Sequence, residues 1–221
     1  AKRVPGGPLL IHKLVEARYR HHKALMEAAR HLCIGTGGKR ARPMLVRLFG
    51  GAVNVAPEKL VDVAVAAEMI HSSSLLHDDV VDAGMYRRAR PTVNARWGNI
   101  VAVMSGDLIL STALHRLAHL DARLTQTALS VVVEMSRAAI TEVEARGNLE
   151  LPLERLRFIA EGKTGSLFGW CGSAAATLNV TPEASAATTS SLPSAARSPR
   201  SGCAPVLMMA VLSRGASAVS S

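Results

Sequence analysis

The sequence predicts an all-α fold, and three observations carry that prediction. Apolar residues make up 48% of the 221 positions but aromatic residues only 3%. A core built from Ala, Val, Leu, Ile and Met suits packed helices better than aromatic-rich strands. Apolar positions recur at helical spacing along most of the chain, and no segment alternates apolar and polar residues with the period of a strand. The length gives one domain with a core of its own, or one domain and a tail, but not two large domains.

The elements follow in order. Residues 8–33 place Leu9, Leu10, Leu14, Val15, Leu25, Met26 and Ala29 on one face of a helix that ends at Gly35-Thr36-Gly37-Gly38. A second helix starts around Arg42-Pro43, because proline is favoured in a first helical turn, and runs to about Asn54. Pro57-Glu58 opens a third, apolar through Val61, Val65, Met69, Ile70 and Leu76 to Asp82. Residues 83–92, with Gly84, Pro91 and several charges, read as a loop. Further helices are predicted at about 93–119, 122–146 and 152–177. Residues 178–221 are different material, dominated by Ser and Ala and interrupted by prolines. They read as a low-complexity, disordered tail on a 1–177 domain.

Composition excludes several function classes. The net charge is +9 and the pI about 10.2. The basic residues, mostly Arg, are scattered along helices with few aromatics to stack on bases, so nucleic acid is not the expected partner. Small phosphorylated substrates fit local Lys/Arg clusters equally well. No stretch of about 18 apolar residues escapes a charge, so no transmembrane segment is expected. Ala1 to Pro5 lacks an apolar signal core. Cys33, Cys171 and Cys203 form neither a disulfide framework nor a zinc spacing. A cytoplasmic setting is the expectation.

The strongest chemical signal is Asp78-Asp79-Val80-Val81-Asp82 at the C-terminal end of an apolar helix. Asp78 and Asp82, at i and i+4, lie on one face about 6 Å apart at Cβ. Their mutual repulsion, and the negative end of the helix dipole, call for a compensating cation. Hard carboxylate oxygens suit Mg²⁺, which takes its other ligands from water and substrate phosphates. Lys39, Arg40 and Arg42 precede this motif, and Arg87, Arg88 and Arg90 follow it. Basic clusters on both sides point to two phosphate-bearing ligands. Gly35 to Arg40 is not a phosphate loop, since Arg40 stands where Ser or Thr follows the lysine. His115 and His119, at i and i+4, lack the glutamate of a zincin motif and read as helix-surface residues. Glu142 and Glu144 face different sides of their helix and read as structural or solvated.

Gly37-Gly38-Lys39-Arg40-Ala41-Arg42-Pro43 resembles the diphosphate-binding turn of trans-polyprenyl diphosphate synthases. Glu68 to Asp82 resembles the first aspartate-rich motif of that family. Arg87 to Thr92, Gly106-Asp107 and Lys163-Thr164-Gly165-Ser166-Leu167-Phe168 continue the match in order. The resemblance implies an isoprenoid-synthase helical bundle around a central cavity. It also implies a prenyltransferase that condenses isopentenyl diphosphate with an allylic diphosphate, and a homodimer in intact members. By resemblance, Asp78 and Asp82 bind Mg²⁺ with Asp79 in support. Lys39, Arg42, His71 and Arg88 hold isopentenyl diphosphate, and Arg87, Lys163 and Thr164 contact the allylic diphosphate. Members that stop at short products carry a bulky aromatic just before the first aspartates. Ser73 and Ser74 are small, which implies a product longer than fifteen carbons.

Two departures stand out. Ala89 occupies a position where the family usually has glycine, which strains the turn if φ is positive there. The family's second aspartate-rich motif would follow Thr177, and no Asp occurs after that residue. The expectation is a C-terminally truncated or frameshifted member whose own activity is open. A non-catalytic helical partner subunit and a class I terpene cyclase are the alternatives. The basic cluster around Lys39 and Arg42 speaks against the cyclase, which uses a single diphosphate.

Overall fold

The computed structural model describes residues 23–35 and 38–179. The predicted helix over 8–22, the Thr36-Gly37 step and the predicted tail from residue 180 onward lie outside them. Helix α1 (Lys23–Arg30) runs into a π-helical turn, His31–Gly35, and α2 spans Ala41–Ala52. Helix α3 covers Pro57–Val81. A two-stranded hairpin follows, β1 (Tyr86–Arg87) against β2 (Arg90–Pro91). Helices α4 (Val93–Trp97), α5 (Asn99–Leu120) and α6 (Ala122–Glu144) come next. Helix α7 (Leu153–Ala160), a π-helical segment (Glu161–Gly165) and α8 (Ser166–Thr177) complete the described residues. The all-α prediction holds, with a minimal hairpin added.

Helix α3 organises the bundle. Pro57 stands at its first turn, where a missing N–H costs nothing. Every residue from Val63 to Ile70 is buried, as expected of a helix apolar on all sides. It packs along α5 and is flanked by α2 and α8, while α6 leans on α5 and α8. Its C-terminus closes with the Gly84 N–H donating to the Asp79 carbonyl at 2.8 Å and Ala83 N–H to the Val80 carbonyl at 3.2 Å. That is a Schellman closure with Ala83 left-handed at φ 49°. The aspartates are therefore carried at the end of a helix packed on all sides through its middle, and its last turn is locked.

Two expectations are corrected. The helix predicted over 93–119 is broken at Gly98, whose φ of 87° suits glycine and redirects the chain between α4 and α5. The loop predicted at 83–92 contains the hairpin, with Arg88 and Ala89 as its two-residue turn. Both have positive φ, 52° and 61°, the pattern of a type I′ turn. Helix α5 is long and apolar enough to cross a bilayer by length and composition, with a mean hydropathy of 1.3, though it carries the charges Asp107 and Arg116. It lies along α3 in the bundle, and its Arg116 is bonded to Asp62 of α3. Cys33 and Cys171 are buried free thiols.

The conditional strain at Ala89 is realised. A side chain in the left-handed region costs about 1–2 kcal/mol, partly offset in any glycine variant by the looser unfolded chain. Ala89→Gly is expected to stabilise the protein by about 0.5–1 kcal/mol, read as a raised urea midpoint with an unchanged slope. An unchanged midpoint would show that the hairpin is relaxed as it stands.

Candidate active site

Each aspartate of the motif meets its own cation. Asp78, half-buried, lies 3.4 Å from Lys163 Nζ, and that ammonium also bonds Glu142. Asp79 is buried and accepts a bidentate pair from Arg87, with Nη2 at 2.7 Å and Nε at 3.0 Å from Oδ1. Asp82, exposed, pairs with Arg146, which also donates to the Val81 carbonyl at 3.2 Å. Burial pushes the Asp78 carboxyl above its ordinary range, opposed by Lys163. Burial alone would lower Lys163, but Glu142 and Asp78 more than offset it and raise it. Lys163 stays charged.

Asp78 and Lys163 head an open cleft of about 660 Å³, mouth included. Asp78, His77 and Lys163 form its polar end. Ile70, Leu110, Val132 and Met135 form apolar walls, with Ser73 and Ser74 on the α3 side. A charged head on an apolar channel fits a ligand with a phosphate at one end and a hydrocarbon at the other. Gly106 has a reason here. A Cβ on it would stand 2.3 Å from Nε2 of His77, so glycine makes room for that ring.

A second cationic region lies beside the first. The Lys39–Arg42 turn faces the hairpin, and a Cβ on Gly38 would come 3.3 Å from Arg88 Nη1. Arg40, at φ 53°, bonds buried Glu68 and the Cys33 carbonyl, tying the turn to α3 and to the π-helical turn. Arg42 stacks over Phe168 at 4.7 Å, and its buried Nε has no hydrogen-bond partner among the described residues. Burial holds Arg42 below its usual range, and buried polar atoms without partners await an acceptor. Lys39 is exposed at the rim.

Burial first, then the guanidiniums of Arg42, Arg88, Arg87 and Arg40, lowers His71 from 6.5 to about 3. The ring is neutral at neutral pH and can donate a hydrogen bond without adding charge. With the folded-state value below the unfolded one, the unfolded chain binds the extra proton between about pH 3 and 6.5. This contribution to stability is full above that window and is lost as pH falls through it, by at most about 1.4 kcal/mol per pH unit. From pH 6.5 to 5, urea stability should fall by up to about 2 kcal/mol more in the unsubstituted chain than in His71→Gln. Parallel losses in the two proteins would show that His71 is not the group that titrates.

The structure thus brings Asp78 and Lys163 together, and gathers Arg42, His71 and Arg88 with Arg40. Thr164 is exposed beside Lys163 in the π-helical segment. Arg87, expected on a substrate, is committed to Asp79. Asp79 points at Arg87 rather than lining the cleft. Glu142, read as structural or solvated, reaches the site through Lys163; Arg146 had no assigned role, and Phe168, noted only within the Lys163–Phe168 match, packs under Arg42. Among the described residues, no three His, Cys, Asp or Glu side chains form a metal-ligand cluster. Asp78 and Asp82 offer two hard oxygen donors, a partial set of the kind Mg²⁺ accepts when a diphosphate and water complete it.

Known proteins resemble the chain in both sequence and fold. A family model described as polyprenyl synthetase matches residues 22–193. The chain is 40% identical over 130 residues to heptaprenyl diphosphate synthase component 2 of Geobacillus stearothermophilus, covering 58% of this chain and 40% of that protein. It is 34% identical over 177 residues to nonaprenyl diphosphate synthase of Mycobacterium tuberculosis, covering 78% and 52%. Among solved structures, a decaprenyl diphosphate synthase from Rhodobacter capsulatus superposes with a TM-score of 0.75 at 28% identity, covering 80% of this chain and 54% of that one. An isoprenoid synthase family member from Thermotoga neapolitana gives 0.72 at 30% identity, covering 78% and 68%. The chain spans about half or less of the curated relatives it matches.

Proposed function

The chain belongs to the polyprenyl synthetase family, and on that premise we propose that it is a prenyltransferase lengthening an allylic diphosphate with isopentenyl diphosphate. One observation carries the reading: an apolar cleft headed by Asp78 and Lys163 lies next to a separate cationic region of Arg42, His71 and Arg88. Two anion-binding regions serve two diphosphates, which a cyclase with one substrate does not need.

Asp78 and Asp82 would hold Mg²⁺, which when bound supplies positive charge to a departing pyrophosphate. Lys163 adds a fixed ammonium at the same end of the cleft, where charge develops as the allylic C–O bond breaks. The isopentenyl double bond attacks the allylic carbon, the new C–C bond forms, and a proton leaves the adduct. Arg42 and Arg88 fix the isopentenyl diphosphate, with neutral His71 as a hydrogen-bond donor and Lys39 at the rim. Arg87 shapes the site by fixing Asp79, and Thr164 is a neighbouring hydroxyl for the allylic phosphate. The apolar walls keep water from the allylic cation.

A second reading, a helical subunit that works with another polypeptide, is supported by relatives named as component 2. Leu129, Val133 and Ile140, exposed on α6, are also consistent with it. Incubation with magnesium, isopentenyl diphosphate and an allylic primer separates the readings. Chain-elongated product from this chain alone sustains the first, and product only with added second polypeptide sustains the other. Diphosphate release without elongation would overturn both in favour of a cyclase.

Product length is tested in the same assay. Ser73 and Ser74 line the cleft one turn before Asp78, with Ile70 beyond them, and among the described residues no Phe, Tyr or Trp lines it. Products longer than fifteen carbons are expected, and Ser73→Phe should shorten them. An unchanged distribution would place the limiting wall elsewhere.

A further inference from the structure

We propose that His115 and His119 form a two-imidazole site for a borderline transition-metal cation, Zn²⁺ in class, at the C-terminal end of α5. The two rings are one turn apart on an exposed face, and their Nε2 atoms stand 3.1 Å from each other. The rings meet nearly at right angles, with centroids 4.4 Å apart. Two nitrogens bound to one tetrahedral zinc at about 2.0–2.1 Å from the ion lie about 3.3 Å apart. The observed spacing of 3.1 Å is within a few tenths of an ångström of that requirement.

A second feature acts in the same direction. His119 lies in the last turn of α5, which ends at Leu120. The carbonyls of a final helical turn concentrate negative potential, so a cation is favoured there. The turn is also held in place. Arg116, between the two histidines, is anchored to Asp62 of α3 by Nε at 3.0 Å, and Leu117 and Ala113 are buried on the opposite face. A rigid element presents two donors more reliably than a loop does. Imidazole selects zinc, nickel or copper and has little affinity for magnesium. This site is therefore chemically separate from the carboxylate pair at Asp78 and Asp82, and it does not rest on the prenyltransferase reading. Two protein donors leave room for water or a further ligand in the remaining positions.

The alternative is an N–H···N hydrogen bond between the rings with no metal affinity. Titration of the full chain with Zn²⁺ in excess Mg²⁺, followed by histidine ring resonances and by calorimetry, decides between them. Zn²⁺ should shift the Nε2 signals of His115 and His119 together. Since even residues behind the ligands are worth about 10–100-fold in metal affinity, His115→Gln or His119→Gln should weaken this binding by about tenfold or more. Asp78→Asn should leave it unchanged. Zn²⁺ that moves neither ring signal, or affinity unaltered in both glutamine variants, would overturn the site. The ring signals are read in the unsubstituted chain, so the outcome stands whether or not the variants fold well.

Discussion

Asp78→Ala should abolish Mg²⁺-dependent diphosphate binding, while Glu144→Ala should leave it nearly unchanged. Asp78 is half-buried at the head of the cleft, where its carboxylate lies 3.4 Å from Lys163. A charged hydrogen bond or ligand contact in such a place is worth about 1.5–3 kcal/mol, or roughly 10–150-fold in affinity. Losing the metal as well removes the contacts it would make with phosphate, so the upper end of that range is the minimum expected. Lys163 does not compensate, because Glu142 still holds it. Glu144 meets only exposed Arg155, at 3.2 Å, a surface pair worth about 0–1 kcal/mol. Calorimetry with inorganic pyrophosphate and Mg²⁺ measures both variants. Equal affinities in Asp78→Ala and the unsubstituted protein would remove the metal assignment.

Gly162→Ala should destabilise the fold by about 2–3 kcal/mol, near the upper end of the usual cost of overpacking, and weaken diphosphate binding with it. Gly162 is buried where the π-helical segment crosses α6. A Cβ there would come 2.7 Å from the Ala138 Cβ and 3.2 Å from the Glu134 carbonyl. Neither neighbour is the end of a flexible side chain, so the segment itself must move away. Lys163 is the next residue, and displacing it separates its ammonium from Asp78 and Glu142. Gly169→Ala, in the following helix with open space around it, should instead stabilise by about 0.5–1 kcal/mol. Urea unfolding of the two variants checks the contrast, and a Gly162→Ala midpoint equal to the unsubstituted one would show that the crossing is loose.

The parts of this molecule that were legible in the sequence are those written in local pattern. Helix α3 announced itself by Pro57 and an unbroken apolar run, and it ends one residue before the predicted Asp82. The basic clusters and the aspartates could be recognised as a pair of phosphate sites because each is contiguous. The hairpin could not, since Arg88-Ala89 lacks the Asn-Gly or Asp-Gly signature of its turn type. The partners of the aspartates were also hidden. Arg146 is 64 residues from Asp82, and Glu142 is 21 from Lys163. The crossing of α6 with the π-helical segment joins the second pair, and the turn after α6 carries Arg146 to the end of α3. That segment left no trace in apolar spacing, because a single wider turn shifts the register without changing composition.

The all-round burial of α3 ties the chemistry to the clock of global unfolding. Amides in the middle of a helix with no solvent face exchange with water only when the whole domain opens, whereas hairpins and exposed helices open locally. The Val63–Ile70 amides should therefore be the slowest in the protein to exchange, and those of Tyr86 to Arg90 among the fastest. Asp78 and Asp82 ride on the slow element, and Arg87 and Arg88 on the fast one. Ligand capture by the arginines can thus fluctuate many times during a single lifetime of the carboxylate platform.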